Sequence, residues 1–112
     1  MAISYSDFEK VEINVGKIIS VEDNIPGAKK QYYRLTVDFG PKIGIKQSAA
    51  QITEHYKRED LVGRQVIAVT NFEPKKIVDF MSEVLVLGVH DNEGRVILLK
   101  PDFAVPLGAR MR

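Results

Sequence analysis

The 112-residue sequence contains no cysteine, which excludes disulfides, thiolate metal sites and a cysteine nucleophile. It has almost no net charge, because 16 lysines and arginines face 15 aspartates and glutamates. Any attraction to nucleic acid must therefore come from local clusters. It also lacks a long apolar run: residues 84–89 fall far short of the roughly 18 residues of a membrane span, and the start of the chain has no signal-peptide pattern. We expect a cytoplasmic protein without membrane insertion.

Residues for catalysis or metal binding are equally scarce. The only histidines, His55 and His90, lie far apart in the sequence and form no His-x-x-x-His or Glu-x-x-His spacing, so we predict no metal site. The glycines are scattered among turns and do not have the spacing of a phosphate-binding loop. The sequence therefore predicts a protein that is not an enzyme and needs no cofactor.

What the sequence does contain is a series of short strand patterns. Its composition is 45% hydrophobic and 28% charged, typical of a globular protein, and its length suits one domain, residues 1–112. Alternation of apolar and polar residues predicts strands over residues 11–21, 33–39 and 42–46. Short apolar segments predict three more over residues 65–70, 84–90 and 95–99, the last two joined by a tight turn. In the third strand Ile43 and Ile45 should face the core, opposite Lys42 and Lys46. Gly16 permits a bulge in the long first strand.

Two helix starts interrupt the strands. Ser6 and Glu9 have the spacing of a capping box, and Ser48 and Gln51 repeat it at the start of a helix that should end near Tyr56. Three strands, a helix, a strand and a hairpin are the order of an OB-fold. We predict an all-β protein, a five-stranded OB-fold Greek-key barrel with a short helix between strands 3 and 4 and a terminal hairpin. The pattern alone leaves other small barrels open.

The binding features lie outside these strands. The connection over residues 71–83 shows no regular period and carries five apolar side chains. These side chains could form an adaptable apolar groove that binds a ligand. Alternatively, they could fill the mouth of the barrel or form a dimer interface. Two basic clusters, one at residues 29–34 and one at Lys75 and Lys76 near Lys46, could meet phosphates or form a solvated face.

At this point the sequence resembles a known family. Residues 7–18 and 61–67 and the segment Asn71-Phe72-Glu73-Pro74-Lys75-Lys76-Ile77 are similar to the structure-specific tRNA-binding OB domain, which is appended to some methionyl-tRNA synthetases and also occurs as free dimers. Residues 38–52 and 82–89 look most like the CsaA-type export chaperones of that superfamily. The tRNA-binding branch typically has Ser-Glu-Gly-Met where this chain has Ser82-Glu83-Val84-Leu85, and the loss of the glycine and methionine argues against tRNA binding.

The resemblance implies an ATP-independent chaperone, a holdase for unfolded or presecretory polypeptides. It further implies a homodimer whose terminal segments pack across a two-fold axis, with the export machinery as a further candidate partner. The predicted polypeptide site combines apolar, basic and hydrogen-bonding side chains: Lys46, Gln47, Ser48, Asn71, Phe72, Lys75, Lys76, Ile77, Phe80 and Met81. The alternative is a tRNA-binding module that uses Lys29, Lys30, Arg34, Lys46, Asn71, Lys75, Lys76, Ser82 and Glu83.

Overall fold

The computed structural model describes all residues, 1–112, and contains two short helices and nine strands. In chain order these are α1 (Tyr5–Glu9), β1 (Ile13–Asp23), β2 (Tyr33–Asp38), β3 (Ile45–Ala50), α2 (Arg58–Leu61), β4 (Gln65–Val69), β5 (Lys75–Ile77), β6 (Phe80–Ser82), β7 (Leu85–Val86), β8 (Gly88–His90) and β9 (Val96–Leu98). The antiparallel sheet β3-β2-β1-β4-β7 forms a nearly closed barrel, and β5-β6 and β8-β9 are separate hairpins. This confirms the predicted OB-fold, with α2 between the third and fourth strands and β8-β9 as the terminal hairpin.

The long strand β1 pairs with two different strands along its length. Residues 13–17 pair with β4 and residues 17–23 pair with β2. The free edge beside its first half is taken by the carboxyl-terminal segment: Val15 N–H donates to the Ala109 carbonyl (2.9 Å) and Gly108 N–H donates to the Val15 carbonyl (2.8 Å). The barrel wall is therefore continuous at this point, because residues near both ends of the chain meet on β1.

The predicted alternation along β1 is wrong at one position. The register with β2 shifts between Ile18 and Ser20, so that Ile18 is fully buried whereas Ile19 is 40% exposed. A β-bulge reverses the side-chain direction for the rest of the strand. It lies two residues beyond the Gly16 position that the sequence favoured.

The third strand also differs from its prediction. Its register pairs Val37 with Lys46 and Leu35 with Ser48, and paired residues share a face. Lys46 and Ser48 therefore lie on the core face and Ile45 faces outward, the reverse of the predicted orientation. The helix predicted from Ser48 is also wrong, because residues 45–50 belong to the strand β3. The helix that follows β3 begins only at Arg58.

The first helix is present, but its cap is not the predicted one. The hydroxyl of Ser4 accepts a hydrogen bond from Asp7 N–H (3.1 Å), and the Asp7 carboxylate accepts one from Ser4 N–H (3.2 Å). This reciprocal pair is a capping box, two residues earlier than the predicted Ser6–Glu9 pair. Neither helix of the structure is long and apolar enough to span a membrane.

The turn of the β8-β9 hairpin is organised by the Asp91 carboxylate. One of its oxygens accepts hydrogen bonds from the backbone N–H groups of Glu93 and Arg95 (2.9 Å each), and the other lies 2.8 Å from His55 Nε2 and 3.2 Å from Arg95 Nε. The hydrogen bond with His55, followed by those of the turn, holds the pKa of Asp91 well below its ordinary value. The carboxylate therefore fixes the hairpin and ties it to the segment after β3.

This low pKa predicts an acid-sensitive hairpin. Because the folded-state pKa is depressed, the stabilisation is fully present above the ordinary carboxyl pKa of about 4 and is lost as the pH falls below it toward the folded value. In urea unfolding, Asp91→Asn should lower the free energy of unfolding most at neutral pH, and its difference from the wild type should shrink in acid. The control is Asp102→Asn at an exposed position. A difference that does not change with pH would contradict the prediction.

Candidate functional site

The predicted irregular connection is in fact the β5-β6 hairpin, which lies alongside β3. Its register pairs Lys76 with Met81 on one face, both exposed, and Ile77 with Phe80 on the other, both half-buried. Alternation of side chains therefore divides the predicted apolar residues. Ile77 and Phe80 are partly shielded from solvent, whereas Met81 is exposed together with Lys76.

Residues 82 and 83 attach this hairpin to the outer edge of β3. Glu83 N–H donates to the Gln47 carbonyl (2.8 Å), the Glu83 carboxylate accepts from Gln47 N–H (3.0 Å), and the Ser82 hydroxyl accepts from Ala49 N–H (3.0 Å). An edge strand otherwise presents unpaired backbone groups to solvent. Ser82 and Glu83, predicted as tRNA contacts, thus close the barrel edge.

This edge attachment should be measurable in stability. Replacing Ser82 and Glu83 together with alanine removes two acceptors from backbone N–H groups, and we expect a loss of about 2 kcal/mol in the free energy of unfolding, about 1 for each hydrogen bond. Glu83→Gln keeps a carbonyl acceptor and should cost less than Glu83→Ala. Urea unfolding distinguishes these variants, and wild-type stability in the double variant would contradict the attachment.

Beside this attachment lies an open groove of about 400 Å³. Two of its apolar side chains remain accessible: Phe72 is 55% exposed and Leu85 is 47% exposed. The groove combines apolar and charged side chains, and it is lined by Phe72, Glu73, Lys75, Ser82, Glu83, Val84 and Leu85. An accessible apolar surface flanked by charges of both signs can bind an extended, partly apolar segment.

The tip of the hairpin meets the loop between β1 and β2. A Cβ at Gly27 would come within 3.4 Å of Val78 Cγ1, so the two turns are in contact. Val78 has a φ of +56°, a conformation that is rare for a β-branched residue and persists only where the surroundings impose it. The exposed basic pair Lys29 and Lys30 follows Gly27 in the same loop, two and three residues later.

Several predicted site residues are engaged elsewhere. The amide of Asn71 accepts from Glu12 N–H (2.9 Å) and donates to the Lys10 carbonyl (2.8 Å), which holds the chain before β1 next to Phe72. Ser48 is fully buried, so a bound peptide cannot reach its hydroxyl. Arg34 forms an ion pair with Glu22 (3.0 Å). Of the predicted residues, Phe72, Lys75, Ser82 and Glu83 line the groove.

Sequence reasoning missed Leu85, Glu73 and Val84 as groove residues. Leu85 belongs to an unbroken apolar run that predicted a strand without indicating its faces, and two residues of the run, β7, pair with β4. Val84 is buried and Leu85 points outward. An all-apolar run carries no alternation from which the exposed face could be predicted.

A second accessible apolar surface surrounds α1 and the carboxyl terminus. Ile3, Tyr5, Val11 and Met111 are exposed large apolar residues. Tyr5, Val11 and Met111 line a pocket of about 100 Å³ beside α1, and Met111 also lines a mainly apolar groove of about 220 Å³ between β1, β4 and the carboxyl-terminal segment. We call this the terminal surface.

Comparisons with known proteins connect the chain to two groups. Residues 13–110 match the model of a family described as a putative tRNA binding domain. The methionine–tRNA ligases of Thermococcus kodakarensis and Pyrococcus abyssi are each 41% identical over 110 and 112 residues, which cover 98% and 100% of this chain. The chain spans only 14% and 15% of the length of these ligases.

Solved structures match over the whole length. The crystal structure of the chaperone CsaA from Bacillus anthracis has a TM-score of 0.92 and 40% identity, with 100% of both chains covered. The CsaA chaperone protein from Picrophilus torridus has a TM-score of 0.90 and 47% identity, with 99% of this chain and 100% of that chain covered. A MetRS-related protein from Pyrococcus horikoshii has a TM-score of 0.86 and 28% identity, covering 100% and 99%.

Proposed function

Since the chain belongs to the family of putative tRNA-binding domains and to the CsaA-type branch within it, we propose that it is a molecular chaperone that binds unfolded polypeptides. The observation that carries the proposal is the groove beside β3, in which Phe72 and Leu85 present accessible apolar surface. Burial of a client's apolar side chains against these two residues would supply the affinity.

The groove is suited to varied clients rather than to one sequence. Its lining includes Lys75 and two carboxylates, Glu73 and Glu83, so residues of either charge could approach it. Such contacts are individually weak and adaptable, as promiscuous binding requires. Holding a client needs only reversible burial of an apolar segment, so the proposed mechanism is ATP-independent.

The roles of the remaining predicted residues follow from their positions. Asn71 positions Phe72 through its backbone hydrogen bonds, and the backbone of Gln47 anchors the hairpin. Lys76 and Met81 lie on the other face of the hairpin, exposed and outside the groove. Lys46, Ile77 and Phe80 are half-buried and do not line the groove, which leaves Phe72 and Leu85 as the principal apolar contacts.

A titration tests this function directly. We would follow the anisotropy of a labelled unfolded peptide and, separately, of a labelled tRNA, each at low and high salt. Peptide binding that persists at high salt, together with slower aggregation of a denatured client, is the expected result. If the protein neither binds the peptide nor slows aggregation, the chaperone proposal fails. The same titration can be repeated with a presecretory polypeptide. An affinity equal to that for other unfolded clients would extend the proposed role to polypeptides that wait in the cytoplasm for the export machinery.

The terminal surface supports a homodimer. Apolar side chains there are exposed near Arg110 and Met111, and pairing across a two-fold axis would bury them and place two grooves in one particle. Sedimentation velocity should show a dimer. Met111→Glu should shift it toward monomer, while Met81→Glu, on the hairpin, should not.

Binding of tRNA is the second candidate. The observation that favours it is that two exposed basic pairs lie on neighbouring turns: Lys29 and Lys30 in the loop whose Gly27 contacts the hairpin tip, and Lys75 and Lys76 on the hairpin itself. Phosphate contacts would make the affinity fall steeply with salt, by roughly 0.9 log units per log unit of salt for each contact on a duplex. Lys75→Glu with Lys76→Glu should abolish such binding and spare that of an apolar peptide. Salt-insensitive or absent tRNA binding would remove this candidate.

A further inference from the structure

A polar cavity lies near one end of the barrel and shares no residue with the groove. It measures about 330 Å³, and its walls come from the residue Gln31 ahead of β2, the segment after β3 and the β8-β9 hairpin. This volume falls at the lower end of the range for small-molecule sites, about 300–1,000 Å³. Neither proposed function uses this cavity.

The walls of the cavity are fixed in place by two sets of hydrogen bonds. His55 and Arg95 both contact the same oxygen of Asp91, at 2.8 and 3.2 Å. Tyr56, the residue after His55, ties the same segments together: Tyr33 OH donates to the Tyr56 carbonyl (2.7 Å), and Tyr56 OH accepts from Leu98 N–H (3.0 Å). A site whose walls are already ordered loses little conformational freedom on binding.

These hydrogen bonds leave other polar groups of the cavity unengaged. The side-chain amides of Gln31 and Gln51 and the imidazole of His90 line the cavity, and no hydrogen bond within the protein uses them. Each amide offers a donor and an acceptor side by side. Ile52 and Val96 add an apolar floor, so a ligand with a polar edge and an apolar face suits the lining.

The charges of the cavity do not favour a phosphate. Arg95 is the only lysine or arginine in the lining, and it is already paired with Asp91 (3.2 Å) and with Glu93 (3.3 Å). The carboxylate of Glu54 also lines the cavity. Because the guanidinium of Arg95 is already paired with carboxylates, the cavity offers no free positive charge to an anion. Its amides, imidazole and apolar side chains suit a neutral, planar ligand that forms hydrogen bonds.

We propose that this cavity binds an unpaired adenine base. Glutamine amides pair with the N6 and N7 positions of adenine, whereas guanine is read by an arginine or lysine, and here the guanidinium of Arg95 is committed to carboxylates. Imidazole rings and guanidinium planes serve as stacking surfaces for unstacked bases, and His90 and Arg95 supply both. A free adenine nucleoside and an unstacked adenosine of RNA share this chemistry.

An NMR titration of the ¹⁵N-labelled protein tests the proposal with adenosine, uridine, AMP and a short oligoadenylate. We expect adenosine to shift the resonances of Gln51, His90 and Arg95 saturably, uridine to bind more weakly, and the adenosine affinity to be unchanged by salt. Equal affinity for adenosine and oligoadenylate would point to a free nucleoside as the ligand. Tighter oligoadenylate binding with the same shifts would point to RNA.

A matched pair of variants sharpens this test. Gln51→Ala should weaken adenosine binding about tenfold, the loss expected for one bidentate base contact. Gln47→Ala, an exposed glutamine outside the cavity, should leave the affinity unchanged. The proposal is overturned if adenosine shifts no cavity resonance, if both variants behave alike, or if only AMP binds and high salt removes it. None of these outcomes depends on whether the groove holds polypeptides.

Discussion

Replacing both Phe72 and Leu85 with serine is expected to weaken binding of an unfolded peptide at least tenfold and to abolish protection of an aggregating client. The two side chains are the accessible apolar contacts of the groove, and truncation of a central apolar contact commonly costs 1–2 kcal/mol or more in binding. Because both are about half exposed, the melting temperature should change little. Anisotropy titration and thermal unfolding of the same preparation measure the two effects.

The matched control is Met81→Ser, which removes a similarly exposed side chain (41%) from the opposite face of the hairpin. It should retain client binding. Phe80→Ala tests the other half of the assignment: its ring is half-buried beside Ile77, so this variant should lose stability more than affinity. Loss of client binding in Met81→Ser with normal binding by the groove variant would move the site to the outward face of the hairpin.

The second large effect is expected at Gly16. A Cβ at this position would lie 2.6 Å from Val37 Cγ1 and 2.7 Å from Phe39 Cε1. Both neighbours are in the fully buried core and cannot move aside without disturbing it. Gly16→Ala should therefore lower the free energy of unfolding by about 3 kcal/mol, the upper part of the usual range for overpacking. Urea unfolding and the melting temperature measure the loss.

Gly44→Ala provides the comparison. Gly44 has a φ of +86° and no atom within 4 Å of an added Cβ, so the variant should cost only about 1 kcal/mol, from the left-handed backbone alone. If the two variants lost equal stability, close packing would not be the reason for glycine at position 16. The sequence favoured a bulge there. In the structure Gly16 instead lies where β1 approaches the core side chains of β2 most closely.

The difference from the Ser-Glu-Gly-Met pattern noted in the sequence has a structural consequence. Where the tRNA-binding branch typically has Gly-Met, this chain has Val84 and Leu85, and the structure buries Val84 and exposes Leu85 in the groove. The change therefore adds a core side chain and keeps an apolar contact in the groove. This fits a polypeptide ligand at least as well as a nucleic acid.

Local sequence determined most of the architecture. The clean alternation of Tyr33, Leu35 and Val37 predicted β2 and its buried face, and Asp91 and Gly94 marked the hairpin turn. Absences mattered as much: without cysteine or a histidine spacing for metal, neither disulfides nor such a metal site entered the predictions. These features depend on chemistry within a few residues, which a sequence displays directly.

Only the tertiary structure decided which residues share the site. The face of β3 depends on its register with β2, and this register, not local alternation, turned Lys46 and Ser48 inward. Ser82 and Glu83 are motif residues in the sequence, but their hydrogen bonds to Gln47 and Ala49 join positions more than thirty residues apart. The sequence by itself determined β1, β2, β4, the β8-β9 hairpin and the family. Pairing between distant segments decided the groove and the polar cavity, because a shift of one residue in the pairing of two strands turns every side chain of a strand to the opposite face.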